Sequence, residues 1–231
     1  MKYRVKFSKN GAIKYIGHLD VMRYFQKVIR RAEIPIAYSE GFSPHQILSF
    51  AFPLSVGFTS EGEYLDMELT RRVNENELVN MFNSCMNEGI EVVKVRELPE
   101  KSDNCMASVF ASEYEITVLD TGSLPKDFCK KAVDFYSQST VLVNKPKKKG
   151  GGSIEIDLKK YLYSFSVDKN CVRFTVNSSS ASNIKPEFVM SCLLDYIGAV
   201  IPKYGYQVKR IDIYGNKGDE NSLNLVSLLD Y

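Results

Sequence analysis

The segment KYRVKFS at residues 2–8 alternates between charged and apolar side chains. Tyr3, Val5 and Phe7 fall on one side of an extended chain and the cations fall on the other, which is the period of a half-buried β-strand. In a sheet whose first and third strands are neighbours, opposite charges face each other across the strands. The pattern therefore predicts that a row of cations faces acids of the segment at 63–69; the row is Lys2, Arg4 and Lys6, and the acids are Asp66 and Glu68.

The segments after this strand complete a β-α-β-β-α-β order. Apolar residues at spacings of three and four predict an amphipathic helix over 18–33, and Asn74 opens a second helix over 74–88. The remaining strands are predicted at 47–52, 63–69 and 90–95. This order is typical of a ferredoxin-like unit.

A similar order is predicted after a polar linker at 98–104. Helices open at Pro125 and Pro186, and strands are predicted at 113–119, 140–143, 154–158, 161–167, 172–176 and 206–214. We therefore expect an α+β protein of two tandem ferredoxin-like (βαββαβ) units, the second with an extra strand or hairpin. The expected domains are residues 1–98 and 105–215, followed by a C-terminal tail at 216–231.

Composition and charge exclude several classes of protein. Of the 231 residues, 44% are hydrophobic and 25% are charged, as in an ordinary globular chain. The formal net charge is only +2, so any nucleic-acid site has to be a local basic patch. The sequence contains no GxxxxGKS/T, GxGxxG or GxSxG motif, which argues against the common nucleotide-binding and hydrolase sites.

The five cysteines are widely spaced and form no CxxC pair. We therefore expect no disulfide framework, no zinc or iron–sulfur site, and no cofactor or metal in this chain. No apolar run reaches the roughly 18 residues of a membrane span, and residues 1–7 lack the apolar core of a signal peptide. These features predict a cytoplasmic protein with no membrane partner.

Two basic features are candidates for contact with nucleic acid. The polar face of the helix over 18–33 carries Arg23, Lys27, Arg30 and Arg31. A Lys/Gly-rich segment at 145–152, which Pro and Gly predict to be an exposed mobile loop, carries Lys145, Lys147, Lys148 and Lys149. The alternatives are an ordinary solvated helix face and a solubilising loop.

A third candidate is a polar site that uses both histidines. His18 and Asp20 open the first helix, where they either cap and pack or form an anion pocket with the free N–H groups. Glu40 and His45 lie on a loop, either as acid–base partners or metal ligands with His18 and Asp20, or as groups that hold the loop in shape. The candidate catalytic residues are thus His18, Asp20, Glu40 and His45; the predicted pocket comprises His18, Asp20, Tyr38, Ser39, Glu40, Gly41, His45 and Ser49.

Several short motifs resemble those of one bacterial family. The chain has FSK at 7–9, HLD at 18–20, YSEGFSPH at 38–45, SFAFPLSVG at 49–57 and EGEYLDMEL at 61–69, with weaker matches IDL at 156–158 and KPE at 185–187. This pattern is similar to the uncharacterised radical-SAM-associated family, DUF2344. Gln46 departs from the family pattern, which has a proline or a basic residue there.

The resemblance implies an accessory protein of a separately encoded radical-SAM enzyme, because this chain lacks the three-cysteine cluster motif. We expect it to bind RNA, either tRNA or rRNA, or to present substrate through a polar cleft. One alternative is an RNA-modifying or RNA-processing enzyme with His, Asp and Glu as acid–base groups. Another is a protein-interaction module without affinity for RNA. The absence of a recognisable catalytic motif favours a protein that is not itself an enzyme.

Overall fold

The computed structural model describes residues 1–147, 150–202, 204–219 and 222–231. Within these residues the fold is mixed α+β, with mostly antiparallel strands and five α-helices. The chain forms two compact units: Met1–Phe110 with Arg210–Tyr231, and Ala111–Lys209. The C-terminal residues, set apart as a tail in the sequence analysis, thus belong to the first unit.

The elements follow one another along the chain. They are β1 (Lys2–Lys9), α1 (His18–Arg31), β2 (Leu48–Phe50), β3 (Thr59–Glu68), α2 (Glu75–Ser84), β4 (Ile90–Leu98), α3 (Cys105–Ser108), β5 (Ala111–Val118), α4 (Phe128–Ser137), β6 (Leu142–Pro146), β7 (Ser153–Asp157), β8 (Leu162–Asp168), β9 (Cys171–Asn177), α5 (Pro186–Ile197), β10 (Tyr206–Asn216) and β11 (Leu225–Ser227).

In the first unit β1 pairs antiparallel with both β3 and β4, and β2 pairs antiparallel with β3. The register places Arg4 opposite Asp66, and the guanidinium holds both carboxylate oxygens at 2.8 and 3.0 Å. The predicted cross-strand neutralisation is therefore confirmed for Arg4. Lys6 instead contacts Asp212 of β10 at 2.7 Å, a partner that local patterning does not reveal.

Both faces of this sheet are covered. On one face Phe25 of α1 is fully buried, with its ring 4.7 Å from Phe7 and 5.6 Å from Phe50. On the other face lies a second apolar cluster that includes Cys105 and Leu228. The C-terminal segment thus docks on the first unit through β11, which pairs with β10, and through Leu228.

In the second unit β9 pairs antiparallel with β5 and β8, and β6 and β7 form a separate two-stranded hairpin. The prediction of an irregular loop from residue 145 onward is wrong for Lys145 and Pro146, which lie in β6. The glycines at 150–152 have φ of +85°, +70° and +77° and supply the turn, so the strands extend further than composition suggests. Lys148 and Lys149 lie outside the described residues.

No helix in the described parts of the chain is long and apolar enough to cross a membrane. The five cysteines are free thiols.

Candidate functional site

Residues from four of the sequence motifs meet where the apolar core of the first unit ends. Lys9, His18, Phe50 and Glu63 line a cavity of about 20 Å³, whose other walls are Phe7, Val21, Phe52 and Leu54. This volume admits about one water molecule. The motifs therefore build one small cavity in which three ionisable side chains, Lys9, His18 and Glu63, lie among apolar walls.

Strand alternation explains why charged residues occur inside. Glu63 has the same parity along β3 as the buried Leu65 and Met67, so it faces α1 as they do. On β1, Lys9 follows Phe7 across a register shift and is only 2% exposed. Its ammonium donates to the carbonyl of Ile16 at 2.9 Å, which anchors the turn that leads into α1.

Glu63 is held by an arginine from the far end of the sequence. Arg210 Nη1 donates to both oxygens of Glu63 at 2.9 Å, and the same guanidinium donates to the carbonyls of Phe52 and Pro53. Arg210 is 2% exposed and lies 4.9 Å from the ring of Phe52. Burial raises the pKa of the Glu63 carboxyl, and the charge of Arg210 opposes that rise.

His18 begins α1 after Gly17, which occupies the N-cap and offers no side-chain acceptor. The imidazole packs edge-on against Phe50 at 5.6 Å between ring centroids. Burial lowers the pKa of His18, and the nearby charge of Lys9 lowers it further. His18 therefore favours the neutral form near neutral pH, in which the imidazole is able to accept a proton.

We expect stability to fall as the pH drops below about 6.5, the ordinary pKa of histidine. The unfolded chain protonates His18 at a higher pH than the folded chain does, so the loss begins at that value and continues down to the lowered pKa. His18→Gln should remove this part of the pH dependence in urea unfolding, whereas His45→Gln, which removes an exposed imidazole, should retain it. A His18→Gln variant with the wild-type pH slope would contradict the assignment.

The rest of the predicted pocket is dispersed. Asp20 is exposed and pairs with Arg23 at 3.3 Å. Ser49 lines a different cavity, of about 250 Å³, with Asp66 among its walls. Within the described ranges, no three His, Cys, Asp or Glu side chains form a group that could hold a metal ion.

The YSEGFSPH loop closes on itself. Tyr38 bridges to Gln46 through the backbone, and Ser39 Oγ lies 2.8 Å from His45 Nδ1. The backbone N–H of Ser39 donates to the carbonyl of His45 at 2.9 Å. Glu40, Gly41 and His45 are exposed, and His45 is not among the residues that line the His18 cavity. These bonds correspond to the alternative in which His45 holds the loop in shape.

The basic face of α1 borders a solvent-facing depression of about 520 Å³. Its lining residues are Tyr24, Lys27, Arg30, Arg31 and Asn87, and none of these carries a carboxylate. The hydroxyl of Tyr24 accepts the backbone N–H of Asn87 at 2.6 Å, and Arg31 donates to the carbonyl of Cys85 at 2.9 Å. Arg23 is exposed outside this depression.

The lysines of the hairpin belong to the second unit. Lys145 donates to the carbonyl of Asn183 at 2.7 Å, and Lys147 is exposed. Lys145 is therefore engaged in an internal contact rather than extended as part of a mobile cationic loop.

A family model described as "Uncharacterized protein conserved in bacteria (DUF2344)" matches residues 2–186. The chain belongs to this family. No curated protein matches this DUF2344 member. A crystal structure of an unknown protein from Galdieria sulphuraria is similar at 8% identity, covering 90% of this chain and 97% of that chain, with a TM-score of 0.27. That likeness is too low to inform the fold.

In this DUF2344 protein, sequence reasoning missed Lys9, Glu63 and Arg210. The first two lie within motifs that carry the family resemblance, FSK and EGEYLDMEL. Both could have been found from the alternation of the strands, because each is a charged residue at a position where the pattern places side chains in the core. Arg210 carries no such signal, because its partner Glu63 lies 147 residues away in the sequence.

Proposed function

We propose that this protein binds RNA, tRNA or rRNA, through the depression beside α1, and that it is an accessory protein of a separately encoded radical-SAM enzyme. The observation that carries RNA binding is the convergence of Lys27, Arg30 and Arg31 on one recess, which has no carboxylate among its lining residues in the described part of the chain. The radical-SAM partner rests on the family resemblance alone.

The spacing of these cations supports contact with a phosphate backbone. Residues 27, 30 and 31 share one face of the helix, because positions three and four apart are neighbours on a helix surface. They span about 6 Å along the helix axis, at 1.5 Å per residue. Contacts of this kind orient an RNA but carry little sequence information, so sequence selection would fall to other groups or to the partner enzyme.

The test replaces all three cations, as Lys27→Gln, Arg30→Gln and Arg31→Gln in one variant. We expect affinity for bulk tRNA, measured by fluorescence anisotropy, to fall at least about tenfold near 0.1 M salt. The slope of log affinity against log salt should fall by about 2–3, one step for each phosphate contact removed.

The matched control removes three exposed lysines elsewhere, as Lys94→Gln, Lys126→Gln and Lys130→Gln. It has the same change in net charge and should retain most of the affinity and the salt slope. Equal losses in the two variants, or binding that does not respond to salt, would refute the proposed site.

Acid–base catalysis on RNA is the second candidate, and the His18 cavity favours it because Lys9 and Glu63 line the same space. The two hypotheses separate in one experiment. A His18→Gln variant that keeps RNA affinity but abolishes a modification detected by mass spectrometry of the RNA supports the enzyme. If no nucleoside changes with wild-type protein alone, the accessory role is favoured.

Strand order supports a finer proposal for the fold, namely that each unit is ferredoxin-like. The first has β4, β1, β3 and β2 side by side, all antiparallel. The second has β5, β9 and β8 in the corresponding places, with the first residues of β10 as its last strand and the β6–β7 hairpin as an addition. The five free thiols support a reducing compartment, the cytoplasm.

A further inference from the structure

A groove of about 600 Å³ runs between β6 and α5 in the second unit. Leu142 forms part of its strand side, and Phe188, Cys192 and Tyr196 lie on its helix side. Leu142 is 64% exposed and Tyr196 is 48% exposed, so apolar surface faces solvent on both sides. Burial raises the pKa of the Cys192 thiol to about 11, and the thiol therefore contributes as an uncharged group near neutral pH.

The edge of β6 that does not face β7 is unpaired among the described residues. The bonds at both ends of the hairpin fix which backbone groups point outward. Leu158 N–H donates to the carbonyl of Val141 at 2.8 Å, and Lys147 N–H donates to that of Gly152 at 3.1 Å. Because bonding alternates in an antiparallel pair, the odd-numbered residues 141–147 face β7.

Leu142 and Asn144 accordingly direct their N–H and C=O groups away from β7. Pro146 is also an even-numbered residue, so its backbone nitrogen faces away from β7. An edge strand tolerates proline at such a position, because no hydrogen bond to the neighbouring strand is lost. An unpaired strand edge beside an apolar groove is the arrangement to which an extended peptide adds as a further strand.

We propose that this groove binds an extended segment of a partner protein, which pairs with β6. Leu142 and Asn144 supply the backbone bonds, and alternate apolar side chains of the segment enter the groove. Asp195 contributes the one charged side chain among the residues that line the groove in the described ranges. The segment therefore carries a basic residue near its apolar positions. This docking surface lies in the second unit and does not depend on RNA binding at α1.

The probe is a fluorescein-labelled octapeptide of alternating valine and lysine, titrated by anisotropy. Wild-type protein should bind it, and Asn144→Pro should weaken binding about tenfold or more, since it removes an outward N–H from β6. The matched control is Glu155→Pro. Glu155 pairs with Asn144 across the hairpin, so its N–H faces the opposite edge, and proline there also spares the β6–β7 bonds. This control should bind as the wild type does.

A second variant tests the groove without changing the backbone of β6, so that a loss of binding cannot be due to a destabilised strand. Ser191 is exposed on α5 and lines the groove, so Ser191→Arg fills the space and repels lysine without disturbing the core. It should reduce binding at least as much as Asn144→Pro, with an unchanged circular dichroism spectrum.

Three results would overturn the proposal. The first is that wild-type protein fails to bind the octapeptide. The second is that Glu155→Pro weakens binding as much as Asn144→Pro does. The third is that the wild type sediments as a dimer that Asn144→Pro converts to a monomer, because a second copy would then occupy the β6 edge.

Discussion

Glu63→Ala is expected to lower the free energy of unfolding by about 3–5 kcal/mol, because it leaves buried cations without their counter-charge. Arg210 is 2% exposed and loses the carboxylate that it holds through two bonds of 2.9 Å. Lys9, also 2% exposed, loses the carboxylate that lines its cavity. The measurement is urea unfolding followed by circular dichroism.

The matched control is Glu97→Ala. Glu97 pairs with Arg72 at 2.8 Å, but the Arg72 side chain is 75% exposed. Exposed pairs contribute at most about 1 kcal/mol, so this variant should remain close to the wild type. If Glu63→Ala costs no more than Glu97→Ala, the buried pair has no special role in stability.

The second large effect is expected for Arg4→Met, about 3–5 kcal/mol by the same comparison of unfolding curves. Arg4 is 1% exposed and donates to Asp66, to the carbonyl of Leu228 at 2.8 Å and to that of Asp103 at 2.9 Å. Methionine keeps the apolar stem and removes every one of these bonds. We also expect faster proteolytic cleavage near Leu228, because its carbonyl loses the Arg4 donor.

Arg96→Met is the control for this variant. Arg96 lies opposite Arg4 on the neighbouring strand and contacts Asp230 at 2.7 Å, yet its side chain is 39% exposed and that of Asp230 is 57% exposed. It should cost less than about 1 kcal/mol. Similar losses in the two variants would show that proximity to the C-terminal segment, rather than burial of the charge, determines the cost.

Local pattern was sufficient for most of the elements and for one of the charge pairs, but it did not predict α3, β11 or the full length of β6. Alternation over residues 2–8 predicts β1, and the order of the elements predicts that Arg4 faces Asp66. The partners of Lys6 and Glu63 could not be predicted in this way. Both partners come from β10. Asp212 lies 206 residues after Lys6 in the sequence, and Arg210 lies 147 residues after Glu63. No local period specifies such distant contacts.

The predicted site is not assembled as one pocket. His18 lines a small cavity, but the residues of the YSEGFSPH loop that were predicted to join it are not among the residues that line that cavity. Density of polar residues in a loop does not determine where the loop folds, and the bond from Ser39 to His45 is local. Lys9 and Glu63 were not among the predicted site residues, because the prediction of a polar site rested on the two histidines and the loop at 38–45.

The first unit joins residues 1–110 to residues 210–231, and this has a consequence during translation. When the ribosome has made β4, Arg4 has no Leu228 carbonyl to bind and β3 has no Arg210. At roughly 5–20 residues per second, on the order of ten seconds pass before those residues emerge. Until then the nascent N-terminal half keeps the Arg4–Asp66 pair but lacks the Arg210 counter-charge of Glu63. A chaperone that shields it over that interval should raise the yield of native protein.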